Sequence, residues 1–366
     1  MILLLLVFSV LFLSFTNGAN DNFKGVATLL GSQTVSYRQA LIWATVTTFA
    51  GSLTATFLSG ELVRAFSGKG LVPSEILTLP FLTSVGLGAA LTVMFATQLG
   101  FPISTTHSLV GALIGAGIAA LPNAVQLNQL GQAFFWPLII SPILALSITA
   151  LLYPLLRWVR LRWGIQEETC VCIDADNTSV PSQAAAIKSP GLSLNIDSTT
   201  ACKTRSFGRI FNMSAQKMLD YSHFLSSGVV CFARGLNDTP KIVGLLAGAH
   251  FLNLHWGMLL VGLSMALGGW IGARKVAETM SYRITDMNHG QGFTANLVTS
   301  AIVLGASKMG IPVSTTHVSC GALFGMGLTT HQAHWSSVKK IILSWFITLP
   351  VAALCSGLIW IVLNHS

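Results

Sequence analysis

Ten apolar segments, five on each side of a polar stretch of about 60 residues, constrain this 366-residue chain more than any other feature. They fall near 1–35, 40–60, 76–98, 101–120 and 132–156, and again near 217–249, 251–273, 289–309, 310–330 and 338–363. Runs of this kind read as membrane spans, since about 20 apolar residues cross a hydrocarbon core. Only 9% of the residues are charged, against roughly 25% in soluble domains. The polar surface that a soluble globule needs is missing, which excludes a soluble enzyme, a disordered protein and a nucleic-acid binder. The net charge of +8 comes from sparse Lys and Arg flanking apolar segments, the placement of topology signals. Residues 1–16 lack a basic n-region and an A-x-A cleavage pattern, so they read as a retained membrane helix.

The two sets of five are copies. Each opens on an interrupted segment, near 17–24 and near 235–241, and each has a Gly/Pro-broken segment in fourth place. Gly18-Ala19-Asn20-Asp21-Asn22-Phe23-Lys24 matches Gly235-Leu236-Asn237-Asp238-Thr239-Pro240-Lys241, at an offset of 217 residues. Gly100-Phe101-Pro102-Ile103-Ser104-Thr105-Thr106-His107 matches Gly310-Ile311-Pro312-Val313-Ser314-Thr315-Thr316-His317, at an offset of 210. Two motifs repeated in the same order define an internal duplication. The organisation that follows is a first membrane repeat over 1–156, a cytoplasmic polar loop over 157–215 and a second membrane repeat over 216–366. Within the loop, about 164–212 is rich in Ser, Thr, Asp, Asn and Ala and reads as a flexible linker with no domain of its own.

Charge orients the copies. Arg157, Arg160 and Arg162 open the central loop, and Arg205, Arg209 and Lys217 close it, so its flanks read as cytoplasmic. Neither terminus has a basic residue beside its apolar segment, and both read as outside. Five crossings per half fit that placement, with Arg64 and Lys69 as exceptions. The stretches 101–120 and 310–330 read either as crossings or as re-entrant hairpins. The expected fold is an all-α polytopic membrane protein of two inverted-topology repeats, with broken helices or hairpins at the midplane, an arrangement typical of secondary transporters. A plasma (inner) membrane is the expected location, and the surrounding partner is the lipid bilayer. A homodimer is compatible with this reading. The six cysteines form no metal or redox signature and read as free thiols.

The two motifs carry the chemistry. Asp21, Asp238, Lys24, Arg234, Lys241 and Lys308 lie in apolar sequence, where a charge costs at least about 2.5–3.5 kcal/mol at a helix centre. Asn20, Asp21, Asn237 and Asp238 offer hard oxygens suited to Na⁺ or a proton. Lys24 and Lys241 either neutralise the aspartates or face an anion. The alternative is an Asp–Lys pair that pins a helix break. The second motif supplies Ser104, Thr105, Thr106, Ser314, Thr315 and Thr316. Hydroxyls behind Pro102 and Pro312 suit helix starts, where free amides point outward and an oxyanion can be held without a dense basic cluster. Ordinary N-capping is the alternative there. Ser84 and Thr294 hold matching upstream positions and extend the expected anion lining. Lys308 is a further candidate anion contact. His107 and His317 are open between a structural role and a proton relay.

Paired G-A-N-D and G-x-N-D motifs in a duplication, with paired P-x-S-T-T-H motifs, resemble the inorganic phosphate transporter (PiT) family. The resemblance covers both membrane halves and omits the central loop. It implies symport of inorganic phosphate driven by Na⁺ or H⁺, with the Asn/Asp pairs holding the coupling cation and the Ser/Thr runs holding the anion, and no cofactor. Many members continue G-A-N-D-x-x-N-A, whereas this chain has Asn22-Phe23-Lys24-Gly25 and Thr239-Pro240-Lys241. Those two lysines bear on the choice of anion and on whether a cation is bound at all.

The leading expectation is a phosphate symporter working by alternating access. A sulfate permease on the same scaffold is the near rival. Sulfate has no proton to donate to a carboxylate, whereas singly protonated phosphate does, which leans to phosphate. An anion channel needs no gradient. An intramembrane aspartyl enzyme would use Asp21 and Asp238 as a dyad, but no enzyme motif accompanies them.

Overall fold

The computed structural model describes residues 1–68, 70–123, 125–166, 169–175, 192–198, 211–249 and 254–365. Helices α1 (Ile2–Asp21), α2 (Ala27–Gly31), α3 (Tyr37–Leu58), α4 (Gly60–Phe66), α5 (Leu79–Leu99), α6 (Thr105–Ala120) and α7 (Trp136–Arg162) come first. Strands β1 (Thr169–Ala175), β2 (Leu192–Ser198) and β3 (Phe211–Ser214) follow. Helices α8 (Ala215–Gly248), α9 (Leu254–Gly272), α10 (Arg274–Tyr282), α11 (His289–Lys308), α12 (Thr315–Thr330) and α13 (Trp335–His365) complete the chain. Among the described residues, six helical stretches are long and apolar enough to cross a membrane: Ile2–Asp21, Tyr37–Leu58, Leu79–Leu99, Asn128–Arg162, Leu254–Gly272 and Trp335–Asn364. The apolar part of the chain is an all-α integral membrane protein.

Two compact units are present, one of Met1–Tyr153 with His223–Ser366 and one of Pro154–Ser222. In the second unit the strands form an antiparallel sheet in the order β2-β1-β3, with Val171 opposite both Ile196 and Met213. The expectation of a flexible linker over 164–212 falls mostly outside the described residues; the described stretches Thr169–Ala175, Leu192–Ser198 and Phe211–Ser214 are strands. In the sequence Leu192, Leu194 and Ile196 alternate with Ser193, Asn195 and Asp197, the period of two that strands show.

In the first unit α1 packs between α5 and α9, α13 lies against α5 and α6, and α11 pairs with α12. Local sequence sets the boundaries. Ser36 with Gln39 and Asn288 with Gln291 form capping boxes that start α3 and α11. Gly100 and Gly310 take φ of +77° and +68° after α5 and α11, a left-handed turn that a Cβ would strain. Pro102 and Pro312 follow in extended chain, and α6 and α12 then begin. Each is 16 residues, or about 24 Å at 1.5 Å per residue, short of a hydrocarbon core of about 30 Å. The residues 101–104 ahead of α6 are non-helical, so this segment is a broken element rather than one continuous helix.

The first motif differs between the copies. In copy one, α1 stops at Asp21, the chain turns through 22–26 and helix resumes at Ala27. In copy two the expected interruption near 235–241 does not occur, because α8 continues through Pro240. Proline removes one amide and orphans the carbonyl four residues earlier. That carbonyl, Leu236 O, accepts a bond from Ser59 Oγ at 3.1 Å. A partner from another helix therefore replaces the lost bond, and the helix need not open.

Candidate functional site

The four motifs converge on one buried centre in the first unit. Gly18 and Gly235 permit the approach: a Cβ at Gly18 would meet the Met265 carbonyl, and one at Gly235 the Thr48 carbonyl. Among the described residues, the buried Asp, Glu, Lys and Arg side chains are Asp21, Lys24, Arg234, Asp238 and Lys241, each at most 4% exposed. All five lie at this centre.

The contacts obey a two-fold exchange of the copies. Lys24 Nζ pairs with Asp21 and donates to Ile103 O at 2.9 Å and to Thr316 Oγ1 at 2.6 Å. Lys241 Nζ pairs with Asp238 at 3.3 Å and donates to Val313 O at 2.6 Å and to Thr106 Oγ1 at 2.9 Å. Each lysine thus reaches the backbone of its own half and a threonine of the other. Thr105 Oγ1 donates to Asp21 Oδ2 at 3.4 Å, and Thr315 Oγ1 to Asp238 Oδ2 at 3.3 Å. The Thr316 hydroxyl bonds Ile103 O at 2.8 Å, and the Thr106 hydroxyl lies 3.5 Å from Val313 O. The starts of α6 and α12 therefore meet across the centre, with the rings of His107 and His317 in tilted contact at a centroid separation of 4.4 Å.

The asparagines tie the motifs to the broken segments. Asn20 Nδ2 donates to Thr97 Oγ1 at 2.8 Å and Phe101 O at 3.0 Å, while its Oδ1 accepts from Ile103 N and Lys24 Nζ. Asn237 Nδ2 donates to Val313 O at 3.2 Å, and its Oδ1 accepts from Ser307 Oγ at 3.3 Å. Thr97 and Ser307 stand 210 residues apart, at matching positions just before each Gly. The sequence reading did not single them out, although the repeat offset marks them.

Arg234 is the main residue that sequence reasoning noted only as a charge in apolar sequence. Its Nη2 donates to Asn17 Oδ1 at 2.8 Å, and its Nη1 to Asn22 Oδ1 at 3.1 Å and Thr48 Oγ1 at 3.4 Å. Its Nε lies 3.6 Å from Asp238 Oδ2 and makes no hydrogen bond. Three cationic side chains face two carboxylates, which leaves one formal positive charge in a water-excluded place.

Other expected lining residues sit elsewhere. Ser104 and Ser314 are N-caps, accepting from His107 N at 3.1 Å and His317 N at 3.2 Å. Ser84 and Thr294 are buried but donate to carbonyls of their own helices, Phe81 O and Gly290 O. Lys308 is exposed at the end of α11, so it is no anion contact at this centre. Each aspartate is engaged by its own lysine, unlike a dyad sharing one proton. Cys231, Cys320 and Cys355 are free.

Comparison with known proteins agrees with the layout. The model of a family described as the phosphate transporter family matches residues 17–356. A Pyrococcus horikoshii protein whose name reads "Putative phosphate permease" is 28% identical over 94% of this chain and 94% of its own. A Bacillus subtilis protein named "Probable low-affinity inorganic phosphate transporter" is 27% identical over 99% of this chain and 97% of its own. A solved structure titled "The sodium-dependent phosphate transporter" superposes with a TM-score of 0.76 at 23% identity, covering 100% of this chain and 99% of that one. At that identity the likeness is one of fold.

Proposed function

The chain belongs to the phosphate transporter family, and from that premise we propose that it is a secondary symporter carrying inorganic phosphate with Na⁺ or H⁺ by alternating access. The observation that carries the reading is the excess of one formal positive charge at a buried centre rich in hydroxyls. Charge held away from water is strongly felt, and an anion completes the balance. The helix starts at Thr105 and Thr315 add amide N–H groups that favour anions. Thr105, Thr106, Thr315 and Thr316 supply hydroxyls. Lys24, Lys241 and Arg234 supply the field, and Ser104 and Ser314 shape the helix starts that hold the amides. The carboxylates of Asp21 and Asp238 favour an anion that still carries a proton, which is phosphate rather than sulfate. Asn20, Asp21, Asn237 and Asp238 form the cation side of the centre.

The same reading places the membrane repeats at 1–156 and 216–366 and the 157–215 loop on the cytoplasmic side of a plasma (inner) membrane, with both termini outside. Its test is uptake of radiolabelled phosphate by proteoliposomes under an imposed Na⁺ or H⁺ gradient, with excess unlabelled sulfate as competitor. Gradient-driven uptake that sulfate leaves intact is expected. Uptake that sulfate suppresses would make the protein a broad oxyanion carrier, and flux without a gradient would make it a channel.

A further inference from the structure

We infer that Lys24 and Lys241 are the resident cations of the two Asn–Asp oxygen clusters, and that this chain moves phosphate without binding Na⁺ at either. Around Lys24 Nζ stand Asn20 Oδ1 at 2.8 Å, Ile103 O at 2.9 Å, Thr316 Oγ1 at 2.6 Å and the Asp21 carboxylate. Around Lys241 Nζ stand Val313 O at 2.6 Å, Thr106 Oγ1 at 2.9 Å and Asp238 Oδ1 at 3.3 Å. A carboxylate, a backbone carbonyl and a hydroxyl converging on one point are the ligand types a hard cation takes. Here the point is a nitrogen. An ammonium has three N–H donors, and each lysine has at least three acceptors, so the clusters and the ammonium groups satisfy each other.

Electrostatics point the same way. With both lysines and Arg234 charged, the centre already carries one formal positive charge. A further Na⁺ at either cluster would be placed against that cluster's own ammonium group in a poorly screened interior, where like charges repel strongly. A lysine is also tethered, three residues after its aspartate in each copy. Its nitrogen is delivered to the cluster by the fold and does not leave with the substrate.

The test combines two measurements on the full-length protein. The uptake arm rests on the phosphate-transport reading; the binding arm does not. In detergent, binding of ²²Na⁺ is measured on the native protein and on Lys24→Asn and Lys241→Asn, which shorten the side chain and leave a neutral oxygen. The native protein is expected to show no saturable ²²Na⁺ binding. Each variant that elutes as a single folded species is expected to gain a saturable site. In proteoliposomes, native phosphate uptake is expected to stay within about twofold when choline replaces Na⁺, and variant uptake to fall about tenfold or more. Native ²²Na⁺ binding that Asp21→Asn or Asp238→Asn abolishes overturns the inference. So does native uptake that collapses in choline, or a folded variant that acquires no Na⁺ site. If the variants do not fold, the native binding result decides. If phosphate is not transported in any medium, the transport reading fails, and the binding arm still judges the lysines.

Discussion

Arg234 Nη2 donates to Asn17 Oδ1 at 2.8 Å, and the two residues occupy the same position in the two copies, 217 residues apart. Each also reaches the outer oxygen of its own aspartate: Asn17 Nδ2 lies 3.0 Å from Asp21 Oδ2, and Arg234 Nε 3.6 Å from Asp238 Oδ2. One copy answers its carboxylate with a neutral amide, the other with a guanidinium. The symmetric frame therefore holds an asymmetric charge, which makes the centre net positive.

Replacing Arg234 tests that asymmetry. Arg234→Ala leaves the Asn17 and Asn22 side-chain oxygens without their guanidinium donor and removes the cation 3.6 Å from Asp238, and losing one partner of a buried charge pair costs about 3–5 kcal/mol. Arg234→Lys keeps the charge but cannot span two asparagines with a planar fork. Thermal unfolding is expected to show destabilisation in both variants, larger for alanine. Uptake is expected to fall at least tenfold in each. Native-like uptake by Arg234→Ala would remove the guanidinium from the account.

The serines and threonines of the second motif should separate. Ser104 and Ser314 cap helices, and a serine cap is worth about 1 kcal/mol. Ser104→Ala and Ser314→Ala should lower stability by that amount and leave the KM for phosphate within about threefold. Thr106→Val and Thr316→Val remove hydroxyls that face the lysines across the centre. They should raise KM by about tenfold or more, and they also cost about 1–3 kcal/mol of stability because a buried lysine loses an acceptor. The reverse pattern would reassign the two pairs.

Ser59 and Pro240 form a double-mutant pair. Ser59→Ala orphans the buried Leu236 carbonyl, which costs about 1–3 kcal/mol. Pro240→Ala restores an amide to that carbonyl, so the serine change should cost little in its background. Denaturation of the four proteins measures the coupling, and additive effects would contradict the compensation.

The motifs and their duplication are readable from residue types alone, because intramembrane charges and Gly/Pro breaks are rare enough to stand out. Arg234 was visible as a charge, yet its bridge to Asn17 needed the alignment of copies carried one residue upstream of Gly235. Thr97 and Ser307 were hidden because single hydroxyls are common in helices, and only their distant contacts with Asn20 and Asn237 distinguish them. Ser84 and Thr294 fitted the repeat but face their own helix carbonyls, a local bond that sequence spacing does not reveal. The continuous helix at Pro240 was misread because the compensating donor, Ser59, comes from another helix. Of the strands in the polar stretch, Leu192–Ser198 alternates apolar and polar residues, a pattern that the surrounding polar composition obscures.

Phosphate uptake by proteoliposomes holding the native protein, compared with Asp21→Asn, tests the central claim most directly. The account predicts uptake driven by an imposed cation gradient, unaffected by excess sulfate and reduced at least tenfold by the substitution. Equal flux with and without a gradient, or undiminished uptake by a folded Asp21→Asn protein, would contradict it.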